Sequence, residues 1–388
     1  MMDIGSLISP VVSDIKPSGI RKFFDIVATM PDAISLGIGE PDFVTPWHIR
    51  DAGMMSLEKG QTYYTSNSGL KELRQELCNY LERRFELSYN ENNILITVGG
   101  SEAIDLAFRA LLMPGDEVII PEPSFVCYAP CTTLAGGKPV PVETVREDNF
   151  KLNVEKLKEK ITDKTKILVL PYPNNPTGAI LGKEEILKIA DVIKDTNIMV
   201  LADEIYAELT YGKKHFSIAN IPSMKERTII VSGFSKCYAM TGWRLGYAVA
   251  HEDLIKAMTK IHQFAIMSAP TTSQSAAIEA LKKGDRDLEE MASEYNERRI
   301  HIIERFNNMG LDCFNAQGAF YVFPSIKSTG YSSEEFCNEL LKRKKVAIIP
   351  GNAFGASGEG YARVSYAYSM KQIDKALDRI EEFLGEIK

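Results

Sequence analysis

The sequence predicts an α/β fold in which a mostly parallel, doubly wound sheet flanked by helices is followed by a smaller α+β domain. Two observations predict the sheet. Helical segments alternate with short strands through the middle of the chain, and those strands are continuous apolar runs rather than alternating patterns. Such runs suit strands that helices cover on both faces. The alternation stops near residue 285, so we assign residues 48–284 to a large domain, and residues 1–47 and 285–388 to a small domain with an N-terminal arm.

The apolar pattern predicts each element in turn. In the N-terminal arm, Ile20, Phe23, Phe24 and Val27 recur at helical spacing after Ser18, a residue type that caps helices. In the large domain, helices are predicted near 48–59, 69–85 and 101–112, and strands at 94–98, 117–121, 138–142, 166–171, 198–203, 228–232 and 245–250. In the small domain, helices are predicted at 285–309, 332–344 and 370–386, and strands within 318–324, 346–350 and 361–367.

The composition is that of a soluble globular enzyme and disfavours several partner classes. The 388 residues are 45% hydrophobic and 25% charged, and the net charge of −7 comes from both signs scattered along the chain. Nucleic acid and anionic membrane are therefore not expected as partners. No stretch approaches the roughly 18 apolar residues of a spanning helix, and the first residues lack a signal-peptide pattern, so we expect a cytoplasmic protein. The cysteines and histidines show no zinc spacing, and we expect no metal.

Chemically useful residues follow several of the predicted strands. Glycines at 99 and 100 open a helix after one strand, and an amide-rich turn at 172–178 follows another. A third strand ends in Asp203, with Glu204 and Tyr206 behind it, and a fourth runs into Lys236. Ligands of doubly wound sheets gather at the carboxyl ends of the strands, and helix N-termini bind anions. These residues therefore predict one shared site.

The segment 232–247, SGFSKCYAMTGWRLGY, is the centre of that site. It places Lys236 among small and hydroxyl residues, with Arg244 eight positions further on. A lysine does covalent chemistry only when its amine is partly neutral, which a neighbouring cation or a desolvating pocket favours. The small residues Gly233, Ser235, Gly242 and Gly246 are expected to clear space for a planar ligand.

Five motifs occur in the following order along the chain: GGSEA, YPNNPTG, LADEIYAE, SGFSKCYAMTGWRLGY and YARVSYA. Together they closely resemble class I pyridoxal-phosphate-dependent aminotransferases of fold type I, from about residue 18 to the C-terminus. The resemblance is nearest to the branch that contains aspartate, aromatic and N-acetyl-diaminopimelate aminotransferases. It implies pyridoxal 5′-phosphate as cofactor, and transamination between an L-amino acid and a 2-oxo acid with 2-oxoglutarate and glutamate as one pair.

The resemblance also implies a role for individual residues around the cofactor ring. Lys236 matches the Schiff-base lysine, which later serves as general base, and Asp203 matches the acid that pairs with the pyridine nitrogen, with Glu204 as the adjacent alternative. Asn175 and Tyr206 match the residues that hydrogen-bond the phenolic oxygen. We expect the pKa of Lys236 to be lowered mainly by Schiff-base formation and these two ring partners, and not by Arg244.

Further matches concern the phosphate, the ring face and the substrate. The matches to phosphate ligands are Gly100, Ser101, Glu102, Ser235 and Arg244. Phe125 matches the aromatic residue that stacks on the ring, Arg363 the arginine that grips the α-carboxylate, and Gly39 a turn that adds a backbone contact near it. Tyr64 matches a tyrosine that reaches the phosphate of the partner subunit, with Tyr63 as the alternative register. The match implies a homodimer with shared active sites.

The sequence leaves alternatives for both the reaction and the substrate. A lyase acting on a C–S bond or a decarboxylase would use the same cofactor residues, and a third alternative is a binding protein that keeps the fold without catalysis. A nicotinamide-binding protein is disfavoured because the glycine segments lack the GxGxxG spacing. No arginine occurs in 261–274 to bind a distal carboxylate, although Arg21 and Lys22 of the arm are possible substitutes. The segments SGIRKFF, LPYPNNPTG, ELTY and GAFYVFPSIKS resemble the N-acetyl-diaminopimelate and aromatic aminotransferase group, and this resemblance implies a broader or larger substrate.

Overall fold

The computed structural model describes residues 2, 4–17, 19–20, 30 and 32–387. Its strands are Ile34–Ser35 (β1), Ile94–Thr97 (β2), Glu117–Glu122 (β3), Lys138–Glu143 (β4), Thr165–Leu170 (β5), Met199–Asp203 (β6), Thr228–Gly233 (β7), Gly246–Val249 (β8), Tyr321–Val322 (β9), Val346–Ala347 (β10), Ile349–Pro350 (β11) and Ala362–Ser365 (β12).

The described helices of the first half are Pro10–Ser13 (α1), Trp47–Glu58 (α2), Lys71–Phe85 (α3), Gly100–Leu111 (α4), Tyr128–Leu134 (α5), Val154–Lys160 (α6) and Lys183–Ile193 (α7). Those of the second half are Pro222–Lys225 (α8), Glu252–Ala265 (α9), Thr271–Lys283 (α10), Asp285–Asn308 (α11), Ser333–Lys344 (α12) and Met370–Ile387 (α13). Short 3₁₀ helices occupy Gly5–Leu7, Glu91–Asn93, Arg146–Asp148, Ile218–Asn220, Thr241–Trp243, Lys327–Thr329, Gly351–Phe354 and Ala356–Gly358.

The large sheet has seven strands in the spatial order β2, β8, β7, β6, β5, β3, β4. The pairs from β7 through β6, β5 and β3 to β4 are parallel, whereas β8 runs antiparallel to both of its neighbours. The predicted mostly parallel α/β sheet is confirmed, and the predicted strands of this sheet agree with the observed ones to within about one residue at each end.

Both faces of this sheet are covered, which explains why its strands are continuously apolar. Leu168 and Val200 belong to one hydrophobic cluster, and their chain neighbours Val169 and Leu201 belong to another on the opposite face. Successive strand residues point to opposite faces, so each strand fills two cores. The second cluster includes residues of α4, the helix that begins at Gly100.

Two smaller sheets accompany the last third of the chain. Strand β1 pairs in parallel with β10, and β11, β12 and β9 form an antiparallel sheet that carries Arg363 on β12. The strands predicted within 318–324, 346–350 and 361–367 are present but short: the first segment contains β9, the second β10 and β11, and the third β12. The domain boundary at 284/285 stays a prediction. Ser18, Phe23, Phe24 and Val27 of the predicted arm helix lie outside the described residues.

Within the described ranges, no helix is both long enough and apolar enough to cross a membrane.

Candidate active site

A cavity of about 370 Å³ lies at the carboxyl ends of the central strands. It brings together residues that are far apart in the sequence. The predicted site residues that line it are Gly39, Gly100, Ser101, Phe125, Asn175, Asp203, Tyr206, Ser235, Lys236, Arg244 and Arg363.

Lys236 lies just after β7 and extends into the cavity. Its Nζ donates a hydrogen bond to the carbonyl oxygen of Gly39 at 2.6 Å. Burial lowers the pKa of this amine to about 8; the carboxylate of Glu40 opposes the shift, and the guanidinium groups of Arg363 and Arg244 add to it. Burial is thus the main cause before any ligand binds, so the expectation that the lowered pKa comes mainly from Schiff-base formation and the ring partners is wrong for the free lysine.

Asp203 ends β6 and presents its carboxylate to the same cavity. Oδ2 accepts a hydrogen bond from the hydroxyl of Tyr128 at 2.6 Å, and Oδ1 accepts one from the backbone N–H of Ile205 at 3.2 Å. Burial raises the pKa of Asp203, and these two hydrogen bonds oppose the shift. Glu204, the alternative acid, does not line the cavity; its carboxylate lies 3.3 Å from Nε2 of His215. The structure therefore favours Asp203 as the acid of the site.

Arg363 is 2% exposed and provides the guanidinium at the small-sheet side of the cavity. Its Nη1 donates to Oδ1 of Asn175 at 2.9 Å, and its Nη2 donates to the carbonyl oxygen of Gly37. The guanidinium carbon lies 4.6 Å from the ring centre of Tyr321. Nε is buried and makes no hydrogen bond within the part of the chain that the structure describes. A buried guanidinium of this kind can bind a carboxylate through two parallel hydrogen bonds.

The opposite end of the cavity is suited to an anion. Helix α4 begins at Gly100, and the first N–H groups of a helix have no partner within the helix. The chain approaches closely here, because a Cβ on Gly246 would lie 2.5 Å from the carbonyl carbon of Gly99. A Cβ on Gly99 would lie 2.5 Å from Nη2 of Arg244, so that guanidinium covers the turn. Gly242 is different: a Cβ added there would have no heavy atom of the described chain within 4 Å, and its expected role in clearing space for a ligand stays a prediction.

Comparisons with known proteins identify the family. The family model described as "Aminotransferase class I and II" matches residues 31–380. The chain belongs to the class I and II aminotransferases. YugH of Bacillus subtilis, a protein named as an aminotransferase without a substrate, is 54% identical over 98% of both chains. The aspartate aminotransferase of Pyrococcus abyssi is 46% identical over 96% of this chain and 97% of its own length. The solved aromatic aminotransferase of Pyrococcus horikoshii is 43% identical, covers 94% of this chain and 99% of its own, and superposes with a TM-score of 0.90.

The protein is thus a pyridoxal-phosphate-dependent aminotransferase of fold type I, and its reaction is transamination. The fold class and the family expected from the motifs are confirmed. The names of its relatives include aspartate, aromatic and N-acetyl-LL-diaminopimelate aminotransferases, so relatives at similar identity differ in substrate.

Two tyrosines of the aminotransferase site were not predicted from the sequence. Tyr128 lines the cavity and holds Asp203, and Tyr321 lines it and shares a hydrogen bond of 2.9 Å with the hydroxyl of Tyr206. Burial raises the pKa of Tyr128 and of Tyr206 well above the ordinary value. The sequence signal that could have indicated Tyr128 was its position three residues after Phe125, the spacing of one helical turn. In the structure the two rings make an edge contact, with their centres 6.1 Å apart.

Two predicted site residues of the aminotransferase do not line the cavity. The side chain of Glu102 turns back to the N–H of Val98 and to His262, so only its backbone is available to a phosphate. Tyr64 is 77% exposed and Tyr63 is 68% exposed. Neither tyrosine lines the cavity of its own chain, and the predicted contact of Tyr64 with a partner's site stays a prediction.

Proposed function

We propose that this aminotransferase binds pyridoxal 5′-phosphate in the cavity and transfers an amino group between an L-amino acid and a 2-oxo acid, with 2-oxoglutarate and glutamate as one pair. The observation that carries the proposal is the state of Lys236. Its pKa of about 8 leaves a useful neutral fraction near pH 7, and it extends into a cavity that also holds a buried acid and two arginines.

The residues present fit the cofactor. At one end, the close packing of Gly246 against the turn at Gly99 leaves the N-terminus of α4 open beside Arg244, which suits a phosphate. At the other, Asp203 is held by Tyr128 and would pair with a protonated ring nitrogen. The bound cofactor supplies an electron sink that weakens the bonds at the substrate Cα.

The protein's own groups position the substrate and move the proton. Arg363 binds the α-carboxylate with its guanidinium, which Asn175 orients from one side. With the cofactor bound, Lys236 would act as the general base that takes the proton from the substrate Cα and as the general acid that returns it. The carbonyl of Gly39 is within hydrogen-bond distance of that nitrogen and limits its position.

For the substrate, we propose an amino acid whose side chain does not depend on a second cation. Among the described residues, the cations that line the cavity are Lys236, Arg244 and Arg363, all of which already have roles in the proposal. The lining also includes Ile38, which with Ile20 provides an apolar wall. An aromatic or N-acylated side chain suits this wall better than a short dicarboxylate. Arg21 and Lys22, the possible cations of the arm, lie outside the described residues.

We also propose a homodimer with shared active sites. Two hydrogen bonds hold the loop of the exposed Tyr64 beside other exposed apolar residues. The hydroxyl of Thr271 donates to the carbonyl of Tyr63 at 2.8 Å, and the side chain of Asn67 donates to the carbonyl of Met267 at 2.8 Å. This joins the loop of Tyr64 to an exposed apolar segment, 264–267, at the C-terminal end of α9. A patch of this kind suits a protein partner, and a second copy would bring Tyr64 to a neighbouring site. Light scattering should give twice the chain mass.

The decisive experiment compares Lys236→Ala with Lys260→Ala, an exposed lysine outside the cavity. The wild type and the Lys260 variant should show the visible absorption band of bound cofactor and should form glutamate from 2-oxoglutarate with a panel of amino donors. The Lys236 variant should lose that band and its turnover. Normal turnover by the Lys236 variant would refute the assignment. Release of ammonia without amino-group transfer would favour a lyase, and activity with aspartate alone would refute the substrate proposal.

A further inference from the structure

The turn between β2 and α4 is held from behind by a carboxylate and a buried histidine. Glu102 is in the first turn of α4, and its Oε2 accepts a hydrogen bond from the backbone N–H of Val98 at 2.5 Å. Its Oε1 lies 2.7 Å from Nδ1 of His262. The side chain thus closes the turn on itself and is tied to α9, which packs against α4.

The chemistry of the two groups limits how they can pair. A carboxylate accepts hydrogen bonds and a neutral imidazole has one N–H, so the 2.7 Å contact is a hydrogen bond to the carboxylate in the tautomer of His262 that carries its proton on Nδ1. His262 is completely buried, and its other ring nitrogen, Nε2, has no hydrogen-bond partner in the described part of the chain. Burying a polar ring with one unsatisfied nitrogen destabilises the fold relative to an apolar residue of similar size. The hydrogen bond to Glu102 is therefore the property of His262 that an apolar side chain could not supply.

The turn has few other supports. The hydroxyl of Thr97 donates to the carbonyl of Gly99 at 2.9 Å, and Gly246 packs against the backbone of the turn. Neither contact fixes the N–H groups of Gly100 and Ser101, which belong to the cavity side. The Glu102 carboxylate bridges Val98 and His262 on the other side of the turn, and so limits how far these N–H groups can rotate.

The charge of Glu102 is the second reason for a histidine at this position. A carboxylate in the first turn of α4 stabilises the helix, but it also repels an anion bound at the same N-terminus. Two N–H groups, from Val98 and His262, are directed at this carboxylate. They stabilise the carboxylate and hold it behind the turn, where it does not line the cavity, and so leave the helix N-terminus available to a dianion.

We infer that His262 is a positioning residue for the phosphate group of the cofactor, acting through Glu102 on the turn 98–102. This inference rests on the proposed function, since it assumes that the phosphate binds at this turn. It predicts that a change at His262 alters the affinity for the phosphorylated cofactor and leaves the affinity for the same ring without its phosphate unchanged.

The experiment uses the cofactor-free protein, titrated separately with pyridoxal 5′-phosphate and with pyridoxal. His262→Leu removes the hydrogen bond to a charged group and should weaken binding of the phosphate form by about tenfold or more. Binding of pyridoxal should stay within about twofold, since nothing at the ring end has changed. His301→Leu, a partly exposed histidine of α11 that pairs with Asp374, is the control and should change neither constant.

Two conservative variants separate positioning from folding, whether or not the leucine variant folds. In His262→Asn, the amide N–H falls near the position of Nδ1 and should preserve most of the affinity. In His262→Gln, the amide reaches the position of Nε2 and should show the loss for the phosphate form alone. Equal affinities of these two variants, or equal losses for both ligands, would overturn the inference. If the wild type binds neither ligand, the proposed function itself fails, and this result is distinct from all the others.

Discussion

Lys236→Met in the cofactor-free protein should raise the free energy of unfolding at pH 7. Burial lowers the pKa of Lys236 from 10.5 to about 8, so holding the amine charged in the folded protein costs on the order of 3 kcal/mol. The variant also loses the hydrogen bond to the Gly39 carbonyl, which offsets about 1 kcal/mol of the gain. We therefore expect a net stabilisation of about 2 kcal/mol.

The pH dependence of the free energy of unfolding tests whether burial of the charged amine is the cause. Below pH 8 the lysine is charged in both the folded and the unfolded chain, and the wild type carries the full cost. Between pH 8 and 10.5 the folded chain loses the proton that the unfolded chain still holds, so the stability of the wild type rises and, above this range, exceeds that of the variant by about 1 kcal/mol, the contribution of the hydrogen bond.

Urea unfolding at several pH values from 7 to above 10, with cofactor removed, measures both effects. Other groups titrate over this range, but they are common to the two proteins and cancel in the difference. Lys371→Met, at an exposed position of α13, is the control and should show a small difference that does not depend on pH. A Lys236 variant that is less stable at pH 7, or a difference that stays constant with pH, would show that burial of the charged amine is not the cause.

Two further predictions concern the hydrogen bond to Asp203 and the close packing at Gly246. Tyr128→Phe removes the 2.6 Å hydrogen bond that opposes the upward shift of the Asp203 pKa. The acidic limb of the holoenzyme's pH–rate profile should therefore move to higher pH, and activity should fall by about tenfold. An unmoved acidic limb would contradict this explanation. Gly246→Ala places a Cβ 2.5 Å from the backbone of Gly99 and should cost about 1–3 kcal/mol in urea unfolding. Gly242→Ala, with open space around its Cβ, should change the stability by less than about 0.5 kcal/mol; equal effects of the two substitutions would show that close packing at Gly246 is not the cause.

Local sequence patterns were sufficient to predict the helices, the strands and the site residues that follow the strands. The central strands are buried on both faces, which makes each a continuous apolar run and therefore readable from the sequence. Because the parallel strands end at one edge of the sheet, the residues after them, Asn175, Asp203 and Lys236, had to converge. The motif match favoured Asp203 over Glu204, and the structure adds the geometric reason: Asp203 faces the cavity, and Glu204 faces His215.

The α/β fold, the aminotransferase family and the residues at the carboxyl ends of the strands could all be predicted from the sequence, because they depend on patterns within short segments. The burial, the contacts and the pKa values of those residues depend on the tertiary structure. Lys236 acquires its low pKa from burial beneath segments distant in the chain, including Gly39, and Asp203 is held by Tyr128, 75 residues earlier. His262 meets Glu102 across 160 residues. Desolvation and such contacts depend on which segments pack together, and no local pattern records that.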